Sequence, residues 1–236
     1  MFYYMMDGFY LLVLAAILFS LWAGNRVNST FRCYSQVRTR NGMTGYDAAR
    51  EVLDANGLTD VRIERISGNL TDHFDPRINV IRLSDNVYDS PTPAAVGVAA
   101  HEAGHAIQYA HDYAPLRIRN AIIPLTNFGS RISTPLILFG LLFSMFGHFM
   151  INIAYVGVAC FFLSVLFQLV TLPTEFDASH RAVVAIEHCG LLDNQELHAT
   201  KEVLSAAAMT YVAALAVSVT QFLRLLNMVR RNDDRY

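Results

Sequence analysis

Two histidines and a glutamate lie within five consecutive residues, His101-Glu102-Ala103-Gly104-His105. Residues four positions apart lie on one face of a helix, so both imidazoles can bind the same metal ion. Zinc suits this pair, because two imidazoles and a third protein ligand leave one position open for water. The metal then lowers the pKa of that water and polarises a carbonyl group. In such a site Glu102 would act as general base and would pass the proton to a leaving amine.

The residues around the motif favour a metal site over two solvated histidines. Short motifs occur by chance, but AAVGVAA precedes this one and AIQ follows it. Ionisable side chains are costly to bury in so apolar a segment unless they have a partner. The segment 94–109 is rich in alanine and has no internal proline, which predicts one helix that carries the whole motif.

His111 is one candidate for the third ligand. It occupies the position of the last histidine in the longer motif HExxHxxGxxH. That motif needs a glycine where this chain has Gln108, and the glycine is what lets the chain turn sharply. Without that turn, helical geometry directs His111 to a different face from His105.

Glu175 is the stronger candidate, in the segment LPTEFDAS that follows an apolar run. A helix that begins near Pro173 would bring Glu175 toward the metal, with Asp177 or Ser179 orienting a histidine. The same acidic side chains would equally suit the N-terminus of a helix, where they stabilise the helix dipole. The residue types alone leave these two interpretations open.

The composition indicates that part of the chain faces lipid. Hydrophobic residues form 53% of the 236 residues and charged residues only 16%, which leaves too little polar surface for a soluble globule. Four apolar runs predict membrane spans: 9–24, 136–149, 153–172 and 203–223. The second and third runs form a predicted transmembrane hairpin. The fourth run is rich in Ala, Ser and Thr, which allows close packing of helices in a membrane bundle.

The basic residues predict which side of the membrane each segment occupies. Of the 18 arginines and lysines, 12 lie between Arg26 and Arg131, which favours a cytoplasmic location for this segment in a multi-pass cell-membrane protein. Four crossings would place the C-terminus outside, whereas four arginines from Arg224 onward argue against that. The side of the C-terminus therefore stays open.

The segment between the first two runs has the composition of a water-exposed domain. The pattern of 44–56, followed by Gly57, predicts an amphipathic helix. Alternating apolar residues predict strands at 61–66 and 79–83, and 70–76 is rich in turn residues. The predicted organisation has four segments. An N-terminal transmembrane helix at 1–25 precedes a polar segment at 26–134, which contains the His-Glu helix and a small sheet. The hairpin follows at 135–172, and the segment 173–236 contains the third ligand, a polar helix, a fourth apolar helix and a charged tail.

Charge and cysteine content exclude other classes of protein. The net charge of −2 gives no basic field for binding phosphates, so we predict no nucleic-acid partner. The three cysteines are odd in number and far apart, which supports neither a disulfide framework nor a cysteine-ligated metal.

The chain resembles the YugP-type family of membrane neutral zinc metallopeptidases. The matching segments are LTDHFDPR from residue 70, VAAHEAGHAIQ from residue 98 and LPTEFDAS from residue 172. The resemblance implies a mainly α, multi-span transmembrane helical bundle with a zincin-like catalytic segment that contains a small β-sheet. It implies Zn²⁺ as cofactor, with His101, His105 and Glu175 as ligands and Glu102 as catalytic base. Ser179 stands where related enzymes often have aspartate, so Asp177 and Ser179 both stay candidates for orienting a histidine.

Further expectations concern the substrate and the competing functions. The predicted partners are a protein or peptide substrate, which can itself be membrane-associated, and the lipid bilayer. His73 could stabilise an oxyanion or contact substrate, and an extended peptide could pair with strand 79–83; an Asp-rich turn with its own hydrogen bonds explains this segment equally well. The alternative functions are an intramembrane site-2-type protease, which would need Asp193 or a similar residue as third ligand, and a non-catalytic, zinc-stabilised membrane scaffold.

Overall fold

The chain is mainly helical in the computed structural model, which describes residues 8–234. A three-stranded sheet and a short 3-10 helix, Ser144–Phe146, interrupt the helices. In chain order the elements are α1 (Gly8–Tyr34), α2 (Gly45–Ala55), β1 (Arg62–Ile66), β2 (His73–Asp75), β3 (Val80–Ser84), α3 (Asp85–Tyr88), α4 (Pro93–Ala110), α5 (Ala114–Leu142), α6 (His148–His188) and α7 (Asn194–Asp233). The mainly α class with a small sheet is confirmed.

The described residues form two compact units. One, here the apolar unit, comprises residues 8–22, 118–172 and 211–234. The other, the mixed unit, comprises residues 23–117 and 173–210 and contains the whole sheet. The predicted boundaries at residues 25, 134 and 172 stay predictions. Residues 1–7 of the predicted N-terminal helix and residues 235–236 of the charged tail lie outside the described residues.

Three of the described helices are long and apolar enough to cross a membrane, namely α1, α6 and α7. They contain the predicted runs 9–24, 153–172 and 203–223. The run 136–149 is divided among the end of α5, the 3-10 helix and the start of α6. α5 is not among the three apolar helices, so the transmembrane hairpin stays a prediction.

Close contacts between backbones hold α5 against α6 in the apolar unit. A Cβ added to Gly140 would lie 2.5 Å from the backbone nitrogen of Ala154, and one added to Gly157 would lie 2.9 Å from the carbonyl oxygen of Ser133. Only glycine permits approaches this close, because any side chain would need the space that the neighbouring helix fills. A small core of Ile137, Ile151, Ala154, Val158 and Val229 completes the packing.

The sheet of the mixed unit has the order β1-β3-β2. β1 runs parallel to β3, and β2 runs antiparallel to β3 with Phe74 opposite Ile81. β3 is thus paired on both sides, so the expectation that an extended peptide pairs with strand 79–83 is wrong. The edge next to α4 belongs to β2, which the sequence indicated only as a turn-rich segment.

Helices α2 and α4 cover this sheet and contribute most of the core. α2 is the predicted amphipathic helix, and its N-terminus carries a reciprocal capping box between Thr44 and Asp47. α4 begins with Thr92 as N-cap and Pro93 in its first turn, which explains why the helix starts there. Its small buried residues, including Ala99 and Ala103, let α2 pack closely against it.

The expectation of a helix that begins near Pro173 is wrong, because α6 continues from His148 to His188 with Pro173 in its interior. Proline removes one helical hydrogen bond and crowds the preceding turn, an effect that long apolar helices packed against neighbours tolerate. Glu175 and Asp177 therefore do not cap a helix N-terminus. They lie in the interior of one 41-residue helix, about two-thirds of the way from its N-terminus to its C-terminus.

Candidate metal centre

His101 and His105 lie on the same face of α4, one turn apart. Their ring centroids are 4.7 Å apart and their planes are nearly perpendicular, at 82°. Both side chains are mostly buried, with 15% and 12% of their surface exposed. The two rings thus converge on one point while keeping a narrow opening to solvent.

Glu175 reaches the same point from α6, and its side chain is only 3% exposed. Its Oε2 atom lies 3.3 Å from Nε2 of His101 and 3.5 Å from Nε2 of His105. Among the described residues these three form the one group of His, Cys, Asp and Glu side chains suited to hold a metal ion, with all donor atoms within 4.8 Å of one another. The structure thereby brings together the three residues expected to be ligands.

The close approach of α4 to α6 depends on Gly104, between the two histidines. A Cβ at this position would lie 2.5 Å from the carbonyl oxygen of Ala178. Real Cβ atoms do not approach backbone oxygens so closely, so only glycine allows the helices to meet here. The glycine in the motif therefore sets the distance between the histidines and the carboxylate.

His111 does not take part in this group. It is the exposed C-cap residue of α4, where its backbone N–H bonds to the carbonyl oxygen of Ile107. Asp193 is also elsewhere: its side chain pairs with Arg40 at 2.8 Å and accepts from the backbone N–H groups of Gln195 and Glu196 at the start of α7.

Ser179 contacts His101 directly, since its Oγ lies 3.0 Å from Nδ1 of that ring. Asp177 has a different position from the one expected, because its Oδ2 accepts from Gln108 at 2.8 Å and from Nε of Arg181 at 2.6 Å. It contacts neither histidine through a hydrogen bond. Of the two candidates for orienting a histidine, Ser179 contacts a ring directly, whereas Asp177 contacts the Gln108 amide.

Gln108 is the residue between Asp177 and the second histidine, and it is completely buried. Its Oε1 lies 3.0 Å from Nδ1 of His105, and its Nε2 donates to the carbonyl oxygen of Thr174 and to Asp177. A flipped amide would place its oxygen against two acceptors, so the orientation is fixed. Nδ1 of His105 must then carry a proton, so in the neutral ring the lone pair is on Nε2, the nitrogen that faces Glu175.

No sequence signal indicates this contact of Gln108 with His105. The residue stands where the longer histidine motif has a glycine, and no sequence motif links a glutamine to residues 66 and 69 positions further along. Its burial and its three partners become visible only in the folded chain.

Glu102 lies next to His101 and is buried, with 8% of its surface exposed. Burial raises the pKa of its carboxyl above the ordinary value, while the two histidines act in the opposite direction. Asp72 and Glu175 add to the increase as nearby negative charges. A buried glutamate with a raised pKa is suited to accept and release a proton.

Two of the residues considered above, Asp72 and His73, lie at the start of β2. Asp72 accepts from the backbone N–H of Ser84 at 2.7 Å and from its hydroxyl. Burial raises the pKa of the Asp72 carboxyl, against the effect of these hydrogen bonds. His73 is the first residue of β2, and its Nδ1 lies 2.9 Å from the carbonyl oxygen of Thr71.

The donor set fits zinc. Two imidazole nitrogens and one carboxylate oxygen converge in a largely buried site, and each histidine has a hydrogen-bonding partner on its other nitrogen. Zinc in catalytic sites commonly has two histidines and a glutamate, with outer hydrogen bonds that fix the ring orientation. The nearby Glu102 adds a group that can exchange protons.

Comparisons with known proteins place this fold and this site among the zinc peptidases of the membrane. The model of the family described as "Putative neutral zinc metallopeptidase" matches residues 9–230, and the chain belongs to that family. A curated relative from Bacillus subtilis (strain 168), the "Putative membrane protease YugP", is 44% identical over 218 residues, which cover 92% of this chain and 95% of the relative. No solved structure matches the chain significantly. The expected family and the expected zinc cofactor are thereby confirmed.

Proposed function

We propose that the chain is a membrane-embedded endopeptidase that hydrolyses peptide bonds with Glu102 as general base. The observation that carries the proposal is the convergence of three donor atoms within 4.8 Å beside a buried glutamate. Family membership supports peptide hydrolysis as the reaction. The name of the relative, a membrane protease, supports the membrane as its location.

In this proposal His101, His105 and Glu175 hold the zinc ion. Bound zinc supplies a Lewis acid that activates water and polarises the scissile carbonyl group. Glu102 accepts the proton of the attacking water and donates it to the leaving amine, a transfer for which its raised pKa is suited. Ser179 and Gln108 keep the two imidazoles in the orientation that binding requires.

We propose the outer edge of β2 as the place where substrate binds. No described strand pairs with that edge, so its backbone groups are available to an extended peptide. The strand lies beside α4, which carries the histidines. His73, at the start of β2, would then contact the substrate backbone. Strand addition engages the backbone of the peptide and neither of its termini, which favours an endopeptidase.

The decisive experiment compares Glu102→Gln with His101→Ala in the purified full chain. Glu102→Gln should keep zinc in metal analysis and lose cleavage of an unfolded protein substrate by at least about 100-fold, the lower range for a general base. His101→Ala should lose zinc and activity together, and Glu175→Ala should do the same. Cleavage by Glu102→Gln at the wild-type rate would refute the mechanism.

The two alternatives predict different results in the same experiment. An intramembrane site-2-type protease would need Asp193 as third ligand, and Asp193 instead pairs with Arg40. Asp193→Asn should therefore leave the zinc content unchanged. A zinc-stabilised scaffold would retain zinc without hydrolysing peptides, and Glu102→Gln would then have no effect in cells.

We further propose that the mixed unit, and with it the catalytic site, lies on the cytoplasmic side of a multi-pass cell-membrane protein. Ten of the 12 arginines from Arg26 to Arg131 lie in the mixed unit and support this orientation, because cytoplasmic segments retain basic residues.

A further inference from the structure

Helix α5 belongs to the apolar unit from residue 118 onward, yet it carries a row of exposed polar side chains. Asn120, Asn127, Arg131 and Thr134 are separated by seven, four and three residues, so they lie along one face of the helix. We call this row the polar stripe. Within residues 8–234, no side chain forms an ion pair or hydrogen bond with Arg131.

The connectivity of the chain indicates that α5 crosses the bilayer together with α6. His101 and Glu175 belong to one unit and lie 3.3 Å apart, so the chain before α5 and the chain after residue 172 are on the same side of the membrane. A chain that leaves one side and returns to it crosses an even number of times. α6 is long and apolar enough for one crossing, and α5 is the helix available for the other.

Contacts between these two helices place Arg131 near the middle of the crossing. A Cβ added to Gly129 would lie 3.1 Å from the carbonyl oxygen of Cys160. A Cβ added to Gly157 would lie 2.9 Å from the carbonyl oxygen of Ser133. Arg131 lies between these two contacts, opposite the centre of the apolar half of α6. It is about 16 Å along the helix axis from the end of α5 and about 20 Å from residue 118. Its side chain cannot span either distance to reach the headgroups.

A charge at this depth is costly unless an opposite charge or another polar group compensates it. We propose that the polar stripe binds a membrane-spanning helix of a partner protein, which carries an aspartate or glutamate near its middle. The carboxylate pairs with Arg131, and the amides of Asn120 and Asn127 accept or donate further hydrogen bonds. The exposed apolar side chains of Leu125, Phe128 and Leu138 flank the stripe and pack against the same helix.

A second copy of this chain does not meet the requirement. Residues 8–22 and 118–172 contain no aspartate or glutamate. In the rest of the described apolar unit the acidic residues are Asp233 and Asp234, at the end of α7. Asp233 lies 3.3 Å from both His148 and Tyr155, near the start of α6 and far from the level of Arg131. Two copies facing each other would therefore bring arginine against arginine.

The test uses the purified full chain in phosphatidylcholine vesicles and a synthetic transmembrane peptide of leucine and alanine. The peptide carries a dansyl acceptor and has Glu, Gln or Leu at its central position. Trp22, the one tryptophan of the chain, serves as the energy donor. The Glu peptide should associate roughly tenfold more tightly than the Leu peptide, as expected for a polar contact between helices in a membrane.

Arg131→Met should abolish the preference for the Glu peptide. Arg117→Met is the matched control, because Arg117 is an exposed arginine on the same helix outside the apolar unit, and this variant should keep the preference. If the three peptides associate equally with the wild-type chain, that measurement alone overturns the proposal. Self-association of the chain in the vesicles, if Arg131→Met removed it, would also overturn the proposal.

Discussion

At the scale of single residues, the hydrogen bond from His105 to Gln108 links a buried amide to a proposed zinc ligand. The amide is fixed by Thr174 and Asp177, and it contacts Nδ1 of His105, the ring nitrogen that does not face Glu175. Gln108→Met keeps the volume and removes all three hydrogen bonds. We expect zinc affinity to fall about 10- to 100-fold, the usual effect of losing such a partner.

The measurement is a competition titration of Zn²⁺ against a chromogenic chelator. Asp177→Asn is the graded control, because asparagine can still accept from Gln108 through its oxygen, so its loss of affinity should be smaller. Thermal unfolding of both variants without zinc separates weaker binding from misfolding. Wild-type affinity in a folded Gln108→Met variant would contradict the role of the amide.

Asp72 leads to a prediction about pH. Burial raises the pKa of its carboxyl above the ordinary value of 3.8. At a pH just above 3.8, the unfolded chain has therefore released this proton, whereas the folded chain still holds it. The favourable contribution of this proton is complete below that value and is lost as the pH rises through the folded pKa. Stability should therefore fall over this window, and Asp72→Asn should flatten the decline.

Thermal unfolding midpoints in a series of buffers measure this effect. Asp72→Ala distinguishes charge from hydrogen bonding, because it also removes the acceptor of the Ser84 N–H group and should lower stability at every pH. An unchanged slope in Asp72→Asn would mean that another group dominates the pH dependence.

At the scale of elements, the contact between α4 and α6 at Gly104 is the most sensitive to substitution. Gly104→Ala forces a methyl group against the carbonyl oxygen of Ala178 and should cost about 1–3 kcal/mol of stability, as overpacking does. It should also weaken zinc binding, since the histidines move away from Glu175. Stability and zinc titration are measured on the same sample.

Gly24→Ala is the matched control for this substitution. Gly24 lies in the interior of α1 with no other atom within 4 Å of an added Cβ. Alanine is the better helix former, so this variant should be neutral or more stable by up to about 1 kcal/mol. If both variants behave alike, close packing at Gly104 is not what holds the two helices at this distance.

The comparison of elements shows which features a sequence can predict. Helix α2, strand β1 and helix α4 were predicted because their periodicity and caps are local. The strand β2 was missed, since three residues in a turn-rich segment form a strand only by pairing with β3. Pro173 suggested a helix start because local rules treat proline as a helix breaker, and tertiary packing overrides that preference here.

Some residues of the candidate site could likewise be predicted from the sequence, and others could not. His101, Glu102 and His105 could be found from spacing, and Glu175 from the resemblance together with its position after an apolar run. Gln108 could not be found, because a buried glutamine has a role only through partners that folding brings to it.

At the scale of the whole molecule, the orientation in the membrane can be tested with Cys33. This thiol is exposed and belongs to the mixed unit, whereas Cys160 lies in the apolar unit. In a chain with Cys160→Ser and Cys189→Ser, a membrane-impermeant maleimide should not label intact cells. It should label them after permeabilisation, because the mixed unit is proposed to face the cytoplasm. Further substitution of Cys33→Ser gives the background.

Labelling of intact cells would reverse the proposed orientation and would place the zinc site outside. This outcome would leave the chemistry of the site unaffected, because the experiment concerns only the side on which the mixed unit lies.

The glycine between the two histidines also limits how this protein could be redesigned. The gap between the helix bearing the imidazoles and the helix bearing the carboxylate is set by main-chain atoms that already touch. Exchanging interior side chains therefore cannot narrow it. An engineer who wished to favour a cation of another size or coordination preference would have to change the donor groups themselves.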